Sequence, residues 1–315
     1  MGRRMLDDVD EPSVRRVWDD PLHIATESRG KLADRFIIPP FSVLNAREGW
    51  WQERKKAWLA LGIKGEETRK GTLRTSTVQE GAEYNGGSCW LGDTASVFDP
   101  VLCEVVYWWF CPKGGMVLDP FAGGAVRGIV AGLSGHRYWG SELRAEQVAS
   151  NETQRDIANS SDVTWVVGDS ADTLGGAPDA DLIFTCPPYG DLEVYSSDPH
   201  DLSNMTHGIF TAAYKRIVQR ACAKLKPNRF ACVVVGDFRD KRTGNLRSFP
   251  ETTIVAFREA GLELYNEAVL VTSCGSLPIR IGKQFVAGRK VGRTHQTVLV
   301  FVKGDGAAAT KAIET

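Results

Sequence analysis

The sequence predicts an α/β fold: a mostly parallel sheet with helices on both faces, an antiparallel edge hairpin, and an N-terminal extension. Three observations carry this. Short apolar runs alternate with helical patterns from about residue 96, which calls for parallel strands joined by crossover helices. Successive runs end in acids, glycines or prolines, the residue types expected at the carboxyl edge of such a sheet, where ligands bind. The last two apolar runs carry no helical pattern between them and read as a hairpin. The domain reading is an extension over 1–90, a main domain over 91–305 and a disordered tail over 306–315.

Residues 1 to about 30 alternate in charge and read as a flexible arm or a peripheral helix. Pro39 and Pro40 forbid a regular helix and make Phe36 to Leu44 extended. Residues 47–62, with Trp50, Trp51 and Trp58 among Arg54, Lys55 and Lys56, suit an amphipathic helix stopped at Gly62. Residues 64–88 are polar and read as a linker. In the main domain, Val97–Phe110 is an aromatic-rich helix. Strands follow at Met116–Leu118, Tyr138–Glu142, Val163–Val167, Ala180–Thr185 and Phe230–Val235, with helices at Val126–Leu133, Arg144–Ala158, Thr211–Leu225 and Thr252–Ala260. Leu264–Val271 and Thr297–Val302 are the closing strands.

The 315 residues are 43% hydrophobic and 24% charged, with net charge −1, an ordinary globular balance. Any nucleic-acid surface must therefore come from local clustering of Lys and Arg. Seven cysteines lack paired Cys-x-x-Cys spacing, so reduced thiols are expected rather than a zinc or disulfide framework. Asp198, His200 and Asp201 have poor spacing for a metal site, and none is expected. With no signal-peptide pattern and no apolar run of membrane-spanning length, a cytoplasmic protein without a membrane partner is expected.

Three consecutive strand ends carry candidate ligand-binding residues. The first is Asp119-Pro120-Phe121-Ala122-Gly123-Gly124. It is neither Gly-x-Gly-x-x-Gly nor a P-loop. An acid opening the turn repels pyrophosphate and suits a cationic group such as an amino-acid ammonium; a plain structural turn is the alternative. Glu142 ends the next strand and suits ribose hydroxyls, unless it is a solvated charge. Asp169 follows the third and suits an adenine amino group, unless it is a helix N-cap. Three acids and a glycine turn, without a phosphate-binding cation, fit a nucleoside carrying an amino acid, such as S-adenosylmethionine.

The fourth strand runs into Thr185-Cys186-Pro187-Pro188-Tyr189-Gly190. Two prolines stiffen the chain and fix its acceptors in advance, and Tyr189 offers a face for a base taken out of a duplex. The pair Asp119-Pro120-Phe121-Ala122-Gly123-Gly124 and Cys186-Pro187-Pro188-Tyr189 resembles the DNA amino-methyltransferases of adenine N6 or cytosine N4, of phage or restriction-modification type. The resemblance covers roughly residues 95–303. It implies a Rossmann-like methyltransferase sheet, S-adenosylmethionine as cofactor, double-stranded DNA with a flipped target base as partner, and a bacterial host cell if phage-encoded. It makes Cys186, Pro187, Pro188 and Tyr189 catalytic. Phe98 and Asp99 then belong to a segment that closes over the methionine end of the cofactor.

One departure stands out. The first position of the catalytic motif is usually Asp, Asn or Ser, and its side chain accepts a hydrogen bond from the target amino group. A thiol is a weak acceptor, so the Pro187 carbonyl, or a neighbour such as Asp191 or Glu193, carries more of that work. Methylation of RNA or of a protein glutamine remains open, as does cytosine C5 methylation with Cys186 as nucleophile or a cofactor-dead DNA-binding protein. Arg280, Lys283, Arg289, Lys290 and Arg293 lie in an acid-free, glycine-bearing loop between the closing strands and are the candidate phosphate contacts. The Trp50–Trp58 patch is a second candidate, against a plain packing role. Residues 191–207 read as a mobile loop over the flipped base.

Overall fold

A computed structural model describes residues 20–23, 28–65, 97–190, 196–275 and 277–314. Within them lies one eight-stranded sheet. In chain order its strands are β1 (Val43–Asn45), β2 (Met116–Asp119), β3 (Arg137–Glu142), β4 (Val163–Val167), β5 (Ala180–Thr185), β6 (Leu225–Val235), β7 (Glu263–Val271) and β8 (His295–Lys303). Their spatial order is β1-β7-β8-β6-β5-β2-β3-β4. All neighbours run parallel except where β8 meets β6 and β7. The α/β reading therefore holds. From β2 the chain steps outward through β3 and β4, then returns to β5 on the other side of β2, so the reversal falls between β2 and β5. Ligand crevices form at the carboxyl ends of strands at such a point.

Period-two alternation divides the core into two layers. Val117, Leu182, Phe184, Cys232, Val234, Val298 and Val300 enter one buried cluster, while Leu118, Ile183, Ala231, Val233, Leu299 and Phe301 enter the other. The first layer is covered by α2 (Gly49–Ala60), α3 (Pro100–Phe110) and α4 (Val126–Leu133), the second by α7 (His207–Lys224) and α8 (Phe249–Glu259). Short helices α1 (Lys31–Phe36), α5 (Ala145–Glu152) and α6 (Ser170–Thr173) complete the connections up to β5. Among the described residues no helix is long and apolar enough to cross a membrane.

The structure departs from the sequence expectation in four places. The closing strands pair antiparallel as expected, but not at the edge of the sheet. β8 sits inside the sheet between β6 and β7, and the edge goes to β1 from the N-terminal segment, paired Val43↔Val269. The segment between them holds a helix, α9 (Leu277–Gly288). Gly282 and Gly288 suggest a loop, but the segment is helical, and Leu277 and Ile281, one turn apart, lie close against Gly292, where a Cβ would meet them within 3.0 Å. The Ala-rich tail is helix α10 (Gly306–Glu314), capped by the Asp305 carboxylate accepting from the Ala308 amide and buried through Ala309. Alanine is the strongest helix former, so a low-complexity look conceals a helix. Finally, Arg144–Ala158 is split into α5 and a short 3₁₀ turn.

The N-terminal segment is structurally part of the main sheet. Trp51 and Trp58 are buried, so the aromatic patch packs rather than presenting stacking faces. Arg54 makes a buried ion pair with Glu104 of α3, and Trp58 Nε1 donates to the same carboxylate at 2.9 Å. Of the arm expected over 1 to about 30, residues 1–19 and 24–27 lie outside the described residues, while Asp20 pairs with Arg54; of the linker expected over 64–88, residues 66–88 lie outside them.

If α10 is docked as seen, Ala309→Glu forces a larger, charged side chain into a closed site. It should cost about 1–3 kcal/mol and lower the calorimetric melting temperature. An unchanged melt would mean that α10 is not part of the folded unit.

Candidate active site at the strand reversal

The two strand ends that flank the reversal are bonded to each other. Asp119, at the end of β2, is completely buried. Its Oδ1 accepts from the Thr185 hydroxyl at the end of β5 (2.6 Å) and from the Phe121 amide (3.1 Å). Its Oδ2 accepts from Tyr138 on β3 (2.8 Å) and from Arg127 Nε on α4 (2.5 Å). This corrects the sequence reading of Asp119 as a ligand contact. All the usual acceptor directions of the carboxylate are occupied by protein donors, so it fixes the turn instead of touching a ligand.

Arg127 extends that framework. Its Nη2 donates to the carbonyls of Phe121 and Ala122, at 2.6 and 2.9 Å, and its guanidinium lies 4.5 Å from the centre of the Phe98 ring. Burial alone would lower its pKa, but the adjacent Asp119 carboxylate and other neighbours more than offset this and raise it, keeping the cation charged. Burial pushes the Tyr138 hydroxyl well above the usual tyrosine range, with the Asp119 charge adding to it.

Around this framework opens a cavity of about 470 Å³, within the roughly 300–1,000 Å³ usual for small-ligand sites. Pro120, Phe121, Gly123 and Gly124 form its floor, with Gly123 in the left-handed region at φ +52°. Phe98 and Asp99 form one wall, Glu142 and Asp169 a second, and Cys186 to Tyr189 a third. Every sequence-predicted cofactor and catalytic residue except Asp119 thus faces one space.

The acids in the walls are oriented by backbone. Glu142 Oε2 accepts from the Gly123 amide (3.1 Å), and Oε1 from the Arg144 amide and Nε (3.0 and 3.2 Å). Asp169 Oδ1 accepts from the Ala171 amide (2.8 Å) as the N-cap of α6. One oxygen of Asp169 thus serves as the N-cap weighed for it, and the residue also lines the cavity.

At the proline corner, Gly190 takes φ +53°, and a Cβ there would come within 2.6 Å of the Phe238 ring, so the turn after Tyr189 demands glycine. The Tyr189 ring meets Phe249 edge-on at 6.2 Å. Its hydroxyl accepts from Gln296 Nε2 (2.6 Å) and lies 3.5 Å from Cys186 Sγ. Gln296, from β8, also lines the cavity. A lone glutamine at a strand start gave no signal in the sequence; only the insertion of β8 beside β6 brings it here. Asp191 and Glu193 lie outside the described residues. Of the presumed mobile loop, residues 196–204 are tied together by Asp201, which accepts from the amides and hydroxyls of Ser196 and Ser203.

The predicted basic residues fall on and after α9. Thr272, Ser273 and Gln296, at the two ends of that segment, line the cavity, so α9 rises from its rim. Arg280, Lys283, Arg289 and Arg293 are exposed, and Lys290 lies against the turn at Gly244. Arg293 is partly tethered, 3.9 Å from Asp237, and Arg289 covers the Phe285 ring at 5.3 Å. Ile279, Val286 and Val291 stand exposed among them.

No family model and no curated protein sequence matches the chain. Among solved structures it is similar to TrmN from Thermus thermophilus, at 16% identity over 65% of this chain and 49% of that one, with TM-score 0.45. It is also similar to a putative RNA methyltransferase from Pyrococcus horikoshii (15% identity, 80% of this chain and 100% of that one, TM-score 0.47). A third is a TehB-like SAM-dependent methyltransferase from Corynebacterium glutamicum (20% identity, 61% and 82%, TM-score 0.38). The chain spans about half the length of the TrmN protein. The functional reading rests on the residues of this chain.

Removing the Asp119 carboxylate leaves Arg127 charged and unpaired in the core. Asp119→Ala should cost about 3–5 kcal/mol of stability, and Thr185→Val about 1–3 kcal/mol, both read by denaturant unfolding. An Asp119→Ala protein as stable as the parent would remove the carboxylate from this structural role.

Proposed function

We propose that the chain transfers a methyl group from S-adenosylmethionine to an exocyclic amino nitrogen, adenine N6 or cytosine N4, of a DNA base extruded from the duplex. The observation that carries this reading is the Thr185–Asp119 hydrogen bond. It joins the glycine turn to the proline corner, so that a nucleoside pocket and a rigid set of acceptors share one cavity. The donor set fits the cofactor. Glu142 suits ribose hydroxyls, Asp169 Oδ2 suits an adenine amino group, and Phe98 and Phe121 offer apolar surface.

S-adenosylmethionine supplies an electrophilic methyl group when bound. The chain has to hold the target nitrogen and localise its lone pair, which otherwise delocalises into the base. Pro187 and Pro188 fix the local backbone, and the Pro187 carbonyl accepts from the amino group. Cys186 adds only a weak acceptor. Tyr189, held by Gln296, presents its ring to the base. The proton displaced from nitrogen passes to solvent.

The same corner suits an amino group of RNA or of a protein glutamine. The α9 segment favours a phosphate-bearing substrate, because residues 271–302 contain no acid. DNA is preferred over RNA on the resemblance of the motif pair.

Nucleosides from the DNA of cells expressing the protein should contain N6-methyladenine or N4-methylcytosine by mass spectrometry. 5-Methylcytosine instead would assign Cys186 as a covalent nucleophile, and no modified base alongside DNA binding would make the protein cofactor-dead. Cys186→Ser should keep turnover, whereas the covalent route would lose it. The paired change Arg280→Glu, Lys283→Glu should weaken DNA binding at every sequence and reduce the salt slope by about two. Filter binding across a salt series that shows an unaltered slope would remove α9 from the interface.

A further inference from the structure

Helix α2 carries a lysine where its buried stripe should be apolar. Trp51, Arg54, Lys55 and Trp58 are spaced i, i+3, i+4 and i+7 and so share one face. Trp51, Arg54 and Trp58 are buried against α3, with Arg54 and Trp58 both bound to Glu104. Lys55 lies beside them and reaches the cavity, its Nζ 3.2 Å from Asp99 Oδ2.

Asp99 is divided between two tasks. Its Oδ1 accepts from Trp51 Nε1 (3.1 Å) and from the amides of Val101 and Leu102 (3.0 and 3.3 Å), which caps α3. Its Oδ2 carries only the Lys55 contact. Asp99 therefore keeps acceptor capacity toward the cavity while its position is locked by α3.

The basic side chains lining the cavity, among the described residues, are Lys55, Arg127, Arg144 and His200. Arg127 is committed to Asp119 and two carbonyls, and Arg144 to Glu142 and Gln147. His200 is paired with Asp198. Lys55 uses one of its three donors on Asp99. Asp119, the acid first expected to meet an ammonium, is fully occupied. The remaining complement for an α-amino-acid zwitterion is therefore the adjacent pair of Asp99 and Lys55.

Resting on the reading of the cavity as an S-adenosylmethionine pocket, we infer that Lys55 binds the carboxylate of the cofactor's amino-acid end while Asp99 Oδ2 accepts from its ammonium. The N-terminal segment thus supplies half of that subsite. The competing role for Lys55 is neutralising Asp99 with no ligand contact.

Two nucleosides separate these roles in calorimetric binding. S-adenosylhomocysteine carries the amino-acid end; 5′-methylthioadenosine lacks it. Lys55→Gln should weaken S-adenosylhomocysteine roughly ten- to hundred-fold, the equivalent of one charge-assisted hydrogen bond, and leave 5′-methylthioadenosine within about two-fold, a change worth under 0.5 kcal/mol. Lys55→Arg, which keeps the charge, should stay closer to the parent. Equal weakening of both nucleosides, or no weakening of either, would overturn the inference while leaving the pocket assignment standing. A parent protein that binds neither nucleoside would overturn the pocket assignment itself, and this inference with it.

Discussion

A single carboxylate joins the parts of the site. Asp119 takes hydrogen bonds from β3, α4, β5 and its own turn, all in a volume closed to water. A buried charge of this kind is costly unless paired and fully hydrogen-bonded, and here it is both. Satisfying it requires Thr185, Tyr138 and Arg127 to arrive together. The condition that stabilises the acid therefore also sets the proline corner against the glycine turn.

From this follows a division of labour among the acids. The one at the centre of the sheet is structural, whereas Glu142, Asp169 and Asp99, farther out, line the cavity. Backbone amides hold Glu142 through both carboxylate oxygens, and Asp169 and Asp99 through one. Asp169 and Asp99 are thereby oriented without being saturated, so a ligand can be met without rearrangement of the protein.

Much of this was legible in the sequence. Strand positions followed from apolar runs, and Val126–Leu133, Val163–Val167 and Ala180–Thr185 match the elements seen, because their patterns are bounded by turn residues. The cavity walls were legible because carboxyl strand ends carry ligand contacts in such sheets. What escaped depends on distant pairing. The saturation of Asp119 needs partners from three other elements. β1 is only three residues long, too short for a periodic signal. Gln296 and Lys55 have no local pattern that distinguishes them from surface polar residues. Helix α9 was hidden by its glycines, which weaken a helical pattern.

The insertion of β8 also constrains how the chain reaches its native state. β6 and β7 are made before β8, yet they can join only through it, and β1, made first of all, is secured only by pairing with β7. Until the ribosome has delivered residues 295–303, β6 has an open edge, and the β1–β7 pair has no strand joining it to the rest of the sheet. Pairings this remote along the chain are slow to form and leave strand edges exposed meanwhile. Translation can therefore complete the half of the sheet from β4 to β6 early, while the half bearing β1 waits for the last strand.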